Sequence, residues 1–190
     1  MTETEIKSII DKDTYMTLLS MFNWTSSKEQ TNSYYTAPNN ALKKSHGITF
    51  RVRTIDNTSK IQIKKHLIGG SALQKSEESE YDVEGIPKGF DEETVKHLTG
   101  ISTPVFLIGS LTTLRNSLMY CDGVMICLDK SEYLGVTDYE IEIEYTNPIP
   151  DSLINALSDV GVKFDSPCVG KFSRFISRLN SKDYAFSEMK

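Results

Sequence analysis

Alternation with a period of two runs through much of the chain. Residues 138–145, DYEIEIEY, show it most plainly: Asp138, Glu140, Glu142 and Glu144 take every second position, with Tyr139, Ile141, Ile143 and Tyr145 between them. On a strand this puts four carboxylates on one face and an apolar row on the other. Same-face neighbours then sit only about 7 Å apart, from the rise per residue of a strand. The same pattern predicts strands over 3–9, 47–55, 60–66, 79–84, 104–109, 112–120, 123–129 and 138–146. Turn signals at Asp56-Asn57, Gly69-Gly70 and Asp122-Gly123 punctuate them, and the polar stretch Gly69 to Glu80 reads as a loop feeding a strand.

Helical spacing fills the intervals. Asp13 is placed to cap a helix through Tyr15, Leu18, Leu19 and Phe22, and Asp91 a short one through Val95 and Leu98. Pro150 and Asp151 introduce Leu153, Ile154, Leu157 and Val160, with Gly161 as the stop. A last helix covers Lys171 to Leu179. Many strands with a few scattered helices predict an α+β domain built on a large antiparallel sheet or barrel.

Charge changes this picture. Glu3, Glu5 and Lys7 share one strand face, Arg51 and Arg53 another, and Lys64 has the parity of Gln62. Glu78, Glu80 and Asp82 alternate with Ser79, Tyr81 and Val83, while Lys171 and Arg174 open the final helix. Any one of these rows reads as a solvated outer face. Together they are segregated by strand, whereas a solubilising surface intersperses the signs. Like charges held side by side cost stability unless opposite charges or cations neutralise them. Paired arginines suit bidentate phosphate contacts, and several carboxylates facing one space suit a hard divalent cation such as Mg²⁺ or Mn²⁺. On strands that close into a barrel, the two kinds of row make a site for a metal-bound polyanion.

Composition sets the bounds. A chain of 190 residues, 38% hydrophobic and 25% charged, fits one soluble domain spanning 1–190. The net charge of −5 argues against nucleic-acid or anionic-membrane partners. Cys121, Cys127 and Cys168 lack paired spacing and fit reduced thiols in a cytoplasmic protein. The acidic start has no apolar signal segment, and no run reaches the roughly 18 apolar residues of a membrane helix.

The ordered set of charged positions resembles the CYTH superfamily, the triphosphate tunnel metalloenzymes. Glu3-Thr4-Glu5-Ile6-Lys7 matches the ExExK signature. Asn32-Ser33-Tyr34-Tyr35 before Pro38, Arg51-Val52-Arg53, Lys64, Glu80, Arg115, Asp129, the DYEIEIE strand and Lys171 in GKFSRF follow in the family's order. The resemblance covers essentially the whole chain and is nearest to small Gram-positive bacterial members. It implies an eight-stranded antiparallel β-barrel with flanking helices, open at both ends and lined with charge. It further implies that Arg51, Arg53, Lys64, Arg115 and Lys171 hold a triphosphate, with Arg174 as a further contact. Glu3, Glu5 and Glu142 would hold the metal, Mg²⁺ or Mn²⁺. Asp129, Glu140 and Glu80 would complete an acidic wall serving a second metal that activates water, with Lys7 facing the same tunnel and Glu144 at its edge. One departure is that the family's Asp-Thr pair before the proline is here Thr36 and Ala37.

The expected activity is metal-dependent hydrolysis of a triphosphate, inorganic tripolyphosphate first. Thiamine or nucleoside triphosphate hydrolysis, adenylyl cyclisation and non-catalytic polyphosphate binding stand as alternatives, in a monomer or homodimer. His46, His66 and His97 lack ligand spacing and read as loop or surface histidines. Gly69-Gly70 reads as a turn, since no helix follows it to cradle a phosphate.

Overall fold

The computed structural model describes residues 2–68 and 72–181; Gly69-Gly70 lies outside them. The strands are β1 (Thr2–Ile10), β2 (Ser26–Thr36), β3 (Ile48–Ile55), β4 (Thr58–Ile68), β5 (Leu73–Asp82), β6 (Gly89–Phe90), β7 (Val105–Cys121), β8 (Val124–Tyr133) and β9 (Val136–Tyr145). They hydrogen-bond in the order β2-β3-β4-β5-β1-β9-β8-β7-β6, and a further β2–β7 pairing closes the first eight of these into a barrel. Every pairing is antiparallel. The helices are α1 (Lys12–Met21), α2 (Ala41–His46), α3 (Glu92–Thr99), α4 (Asp151–Asp159) and α5 (Lys171–Leu179).

Strand alternation decides what faces out. Ile141 and Ile143 of β9 and Ile126 and Leu128 of β8 are fully buried against Leu18 of α1 and Leu153 and Leu157 of α4. Tyr139 meets the Tyr15 ring at 4.8 Å. Phe50 and Val52 of β3 and Ile61 and Ile63 of β4 are covered by Leu42 of α2 and Val95 of α3. Full burial of each such side chain contributes about 1.5–3 kcal/mol, so two helical layers clamp the barrel from outside. Asp11, not Asp13, caps α1, its carboxylate accepting from the Thr14 N–H at 2.7 Å. Asp13 lies in the first turn, where its charge meets the positive helix end. Asp91 caps α3 as its spacing predicts.

Three differences from the sequence reading have two origins. β2 was not expected, β5 starts at Leu73 inside the expected loop, and β7 is one strand of 17 residues where two were expected. β2 and β5 are polar on both faces, so period-two hydrophobicity is absent. The outer face of β2 is held to β7 by hydroxyl pairs, Thr31 with Thr112 at 3.3 Å and Ser33 with Ser110 at 3.1 Å. β7 runs through Gly109 by way of a bulge, the register shifting between Tyr34 and Tyr35 of β2.

One rim of the barrel is covered rather than open. Phe172 and Phe175 of α5 pack on Tyr34, Leu111 and Tyr133 of β2, β7 and β8. The antiparallel order places the start of β7 and the ends of β2 and β8 on one rim, so α5 stoppers it. Gly109 makes room: a Cβ there would lie 2.9 Å from the Phe175 ring, on backbone with φ +139°.

Gly109→Ala should therefore destabilise the protein by about 1–3 kcal/mol, the usual cost of overpacking. A urea denaturation midpoint measures it, and an unchanged midpoint would mean that α5 is not firmly seated.

Candidate active site

The barrel encloses a cavity of about 690 Å³. Its wall is the polar half of each strand's alternation, and cross-strand register sets opposite charges beside each other. Lys7 pairs with Glu142, Arg115 with Asp129, and Lys64 with Glu78. The strap Pro167–Val169 and the first turn of α5, Gly170–Ser173, complete the lining.

Two lysines organise the acidic groups. The Lys171 ammonium lies 2.8 Å from Asp129, 2.8 Å from Glu140 and 2.7 Å from Glu142. The Lys64 ammonium lies 3.2 Å from Glu5 and 3.0 Å from Glu78, and also contacts Glu3. Lys7 links the groups, 2.7 Å from Glu5 and 4.0 Å from Glu142. Arg115 forks onto Asp129 through Nε at 2.8 Å and Nη2 at 2.6 Å, and reaches Glu142 and Glu144. Arg174 donates to Asp138 at 2.8 Å and to Glu140 at 2.7 Å.

The β2–β3 side is different. Arg51 Nε donates to the Gln62 amide oxygen at 2.8 Å and Arg53 Nε to the Asn32 amide oxygen at 2.9 Å. Among the described residues neither guanidinium has a carboxylate within 4 Å. Burial, with Arg51 and Arg115 nearby, lowers Arg53 to about 9. The Tyr34 hydroxyl and the Gln30 and Asn32 amide nitrogens are buried on this side without a partner among the described residues. Buried donors left unpaired are costly.

The field splits the acids. Burial raises Glu3 to about 7, against the opposing pull of Lys64. Burial also pushes Glu78 upward, but Lys64 and Arg51 overcome it and bring it to about 2. Glu142 is likewise driven well down by Lys171 and Arg115 despite burial, while burial and the neighbouring Glu142 carry Glu140 upward. The Glu140–Glu142 pair thus has one member disposed to be ionised and one to hold a proton.

The structure places all thirteen expected residues in or beside the cavity, with unequal contacts. Glu80 is half exposed, joined to Lys60 at 3.4 Å and to Gln62. Glu78, of the same parity, is the β5 acid that reaches Lys64. Glu78 was legible as a row neighbour of Glu80; which of the two lies deeper depends on register against β4. Arg174 is occupied by Asp138 and Glu140. Lys43, from α2, and His66, beside Lys64 on β4, line the cavity although neither was expected there. His66 shares the parity of Gln62 and Lys64, a signal present in the sequence; α2 follows no strong pattern, so nothing pointed to Lys43.

Among the described residues, Asp129, Glu140 and Glu142 are the set of three carboxylates whose oxygens come within 4.8 Å of one another. They are hard oxygen donors already gathered about a cation, and they fit a divalent ion such as Mg²⁺ or Mn²⁺. Glu3 and Glu5 gather around Lys64 and meet Glu142 through Lys7.

Comparison with known proteins agrees with this geometry. The CYTH domain family matches residues 1–152. No curated protein sequence matches. A Bacillus halodurans protein provisionally described as an adenylate cyclase superposes with TM-score 0.70 at 25% identity, over 91% of this chain and 96% of its own. A Hippeastrum protein, described as an adenylyl cyclase candidate with a dominant triphosphatase activity, gives 0.73 at 21% identity over 92% and 95%. A Pyrococcus horikoshii protein gives 0.62 at 18% over 93% and 99%. The chain belongs to the CYTH domain family.

Glu3 offers a test of the field. Its pKa is raised from the ordinary 4.5 to about 7, so the stability it contributes is complete below about pH 4.5 and is lost as pH rises through 7. Glu3→Gln should raise the melting temperature of the metal-free protein at pH 8, by roughly 2–4 °C for each kcal/mol recovered. At pH 4 it should change nothing. A lower melting temperature at pH 8 would show that the Lys64 contact outweighs the burial cost.

Proposed function

We propose that this CYTH protein is a divalent-metal-dependent triphosphatase whose leading substrate is inorganic tripolyphosphate, split by water into pyrophosphate and phosphate. The observation that carries this reading is the polarity of the cavity. Two arginines without carboxylate partners among the described residues face lysine-gathered carboxylates across one enclosed space.

Arg51, Arg53 and Arg115 are placed to bind phosphate oxygens, and Arg51 and Arg53 lose no ion pair in doing so. Lys64 and Lys171 can turn from the carboxylates toward the phosphates. Asp129, Glu140 and Glu142, or Glu142 with Glu3 and Glu5, would hold Mg²⁺ or Mn²⁺. Such an ion neutralises phosphate charge and lowers the pKa of its water. Phosphoryl transfer asks for positioning and charge neutralisation more than covalent help, and the low-dielectric barrel strengthens both. Glu140, disposed by burial to take up a proton, is a candidate acceptor for the proton of the attacking water.

Tripolyphosphate is favoured because the aromatic rings in the lining are occupied. Tyr34 and Phe172 pack edge to face on each other with ring centres 5.1 Å apart.

The test is incubation with tripolyphosphate, ATP and thiamine triphosphate, each with Mg²⁺ or Mn²⁺, following phosphate, pyrophosphate and cyclic AMP. Pyrophosphate and phosphate from tripolyphosphate are expected, and Arg53→Ala and Glu142→Gln should each lower kcat/KM at least tenfold, about 1.4 kcal/mol of barrier. Binding without turnover of any substrate would make the protein a polyphosphate binder, and cyclic AMP from ATP would make it a cyclase.

A further inference from the structure

Lys43 differs from the other lysines of the cavity. Lys7, Lys64 and Lys171 each sit on carboxylates. The Lys43 ammonium is held only by the Thr49 hydroxyl at 3.4 Å, and no carboxylate of the described residues lies within 4 Å of it. Backbone geometry fixes it beside His66. Gly47, at φ +67°, ends α2 by donating to the Lys43 carbonyl at 3.0 Å. The Gly47 carbonyl in turn accepts from the His66 N–H at 3.1 Å. One residue thereby ties the lysine of α2 to the imidazole of β4, and both line the cavity.

Their position along the barrel follows from strand order. Lys43 precedes β3, Thr49 opens β3 and His66 lies near the end of β4. In an antiparallel barrel these ends share a rim with the end of β2, where Tyr34 meets Phe172. Lys43, Thr49 and His66 therefore stand at the stoppered end, and a phosphate chain entering from the opposite rim reaches them with its leading end.

We propose that Lys43, Thr49 and His66 form a subsite for the free terminal phosphate of the bound chain, beyond the grip of Arg51, Arg53 and Arg115. The inference rests on the polyphosphate reading of the cavity and adds a preference for a chain end that bears no ester. A tetrahedral phosphate dianion suits an ammonium, a hydroxyl and an imidazole as neighbours. The electrostatics agree with the geometry. Burial and the charges of Lys64 on β4 and Lys7 on β1 bring Lys43 down to about 8. Burial and Lys43, Lys64 and Lys7, against Glu5 of β1, bring His66 to about 4. A positive field of that kind, left uncompensated, is relieved by an anion.

The test is calorimetric titration of the metal-free protein, wild type and Lys43→Met, with tripolyphosphate and with diadenosine triphosphate, which has three phosphates but no free end. Lys43→Met should weaken tripolyphosphate at least tenfold, the scale of one charge-assisted hydrogen bond, and leave diadenosine triphosphate within about twofold. Lys43→Arg, which keeps the charge, should restore most of the loss, and melting curves check that each variant is folded. Near pH 8.5, tripolyphosphate should drive proton uptake by the wild type in excess of that by Lys43→Met. Equal tripolyphosphate binding by wild type and Lys43→Met overturns the subsite alone, and so does an equal loss for both ligands. A wild type that binds neither ligand overturns the polyphosphate reading itself.

Discussion

Everything in this barrel depends on neutralising charge that the strands force into one place. A strand cannot turn a side chain away once its alternation is set, so outer hydrophobic rows drive inner carboxylate rows to face one another. The Lys171 ammonium, in contact with three of those carboxylates, shows how the energy is balanced. Breaking such a buried pair costs about 3–5 kcal/mol, because the partner is left desolvated and alone. Closure of the sheet and the pairing of its inner charges are therefore one event, and the position of α5 is part of both.

The same balance accounts for the asymmetry between the walls. Carboxylates are shared among lysines and Arg115, while Arg51 and Arg53 rest on neutral amides. An amide holds a guanidinium in place without cancelling its charge. The basic wall is thus preorganised, its geometry set by Gln62 and Asn32 and its field left available. The Glu140–Glu142 pair shows the converse, since burial and the neighbouring Glu142 carry Glu140 upward while Lys171 and Arg115 hold Glu142 down. The geometry sets a basic wall, Arg51 and Arg53, opposite an acidic one, Asp129, Glu140 and Glu142.

Much of this was legible in the residues. DYEIEIEY and the first strand announced themselves because one face is apolar and packs on helices, and α3 and α4 carried start signals at Asp91 and Pro150. β2 and the first half of β5 were hidden because polar residues stand on both faces, and only pairing with β7, β4 and β1 makes them strands. The continuity of β7 was hidden by Gly109, which reads as a break and serves as a bulge. Parity put Glu3 with Glu5 and Arg51 with Arg53 on one face of their strands, and the ordered resemblance turned those faces inward. Lys43 could not be located in this way, because its place depends on a short helix between two left-handed asparagines, Asn39 and Asn40, and Gly47. Thr36 and Ala37, where the family pattern differs, keep the turn by other means. The Thr36 hydroxyl donates to the Asn40 side chain at 3.0 Å, and Ala37 is buried beneath Leu42.

The order of the strands carries a consequence for how the chain is made. β1 lies between β5 and β9, and α5 comes after β9. On a ribosome emitting about 5–20 residues per second, the first strand gains its second neighbour only after most of the chain has emerged. The stopper is fitted later still. Until then Glu140 and Glu142 of β9 lack Lys171, and Glu3 and Glu5 of β1 have only Lys7 and Lys64 to face. Charge that would penalise a finished interior then protects an unfinished one, since an open strand edge studded with glutamates is a poor template for another chain.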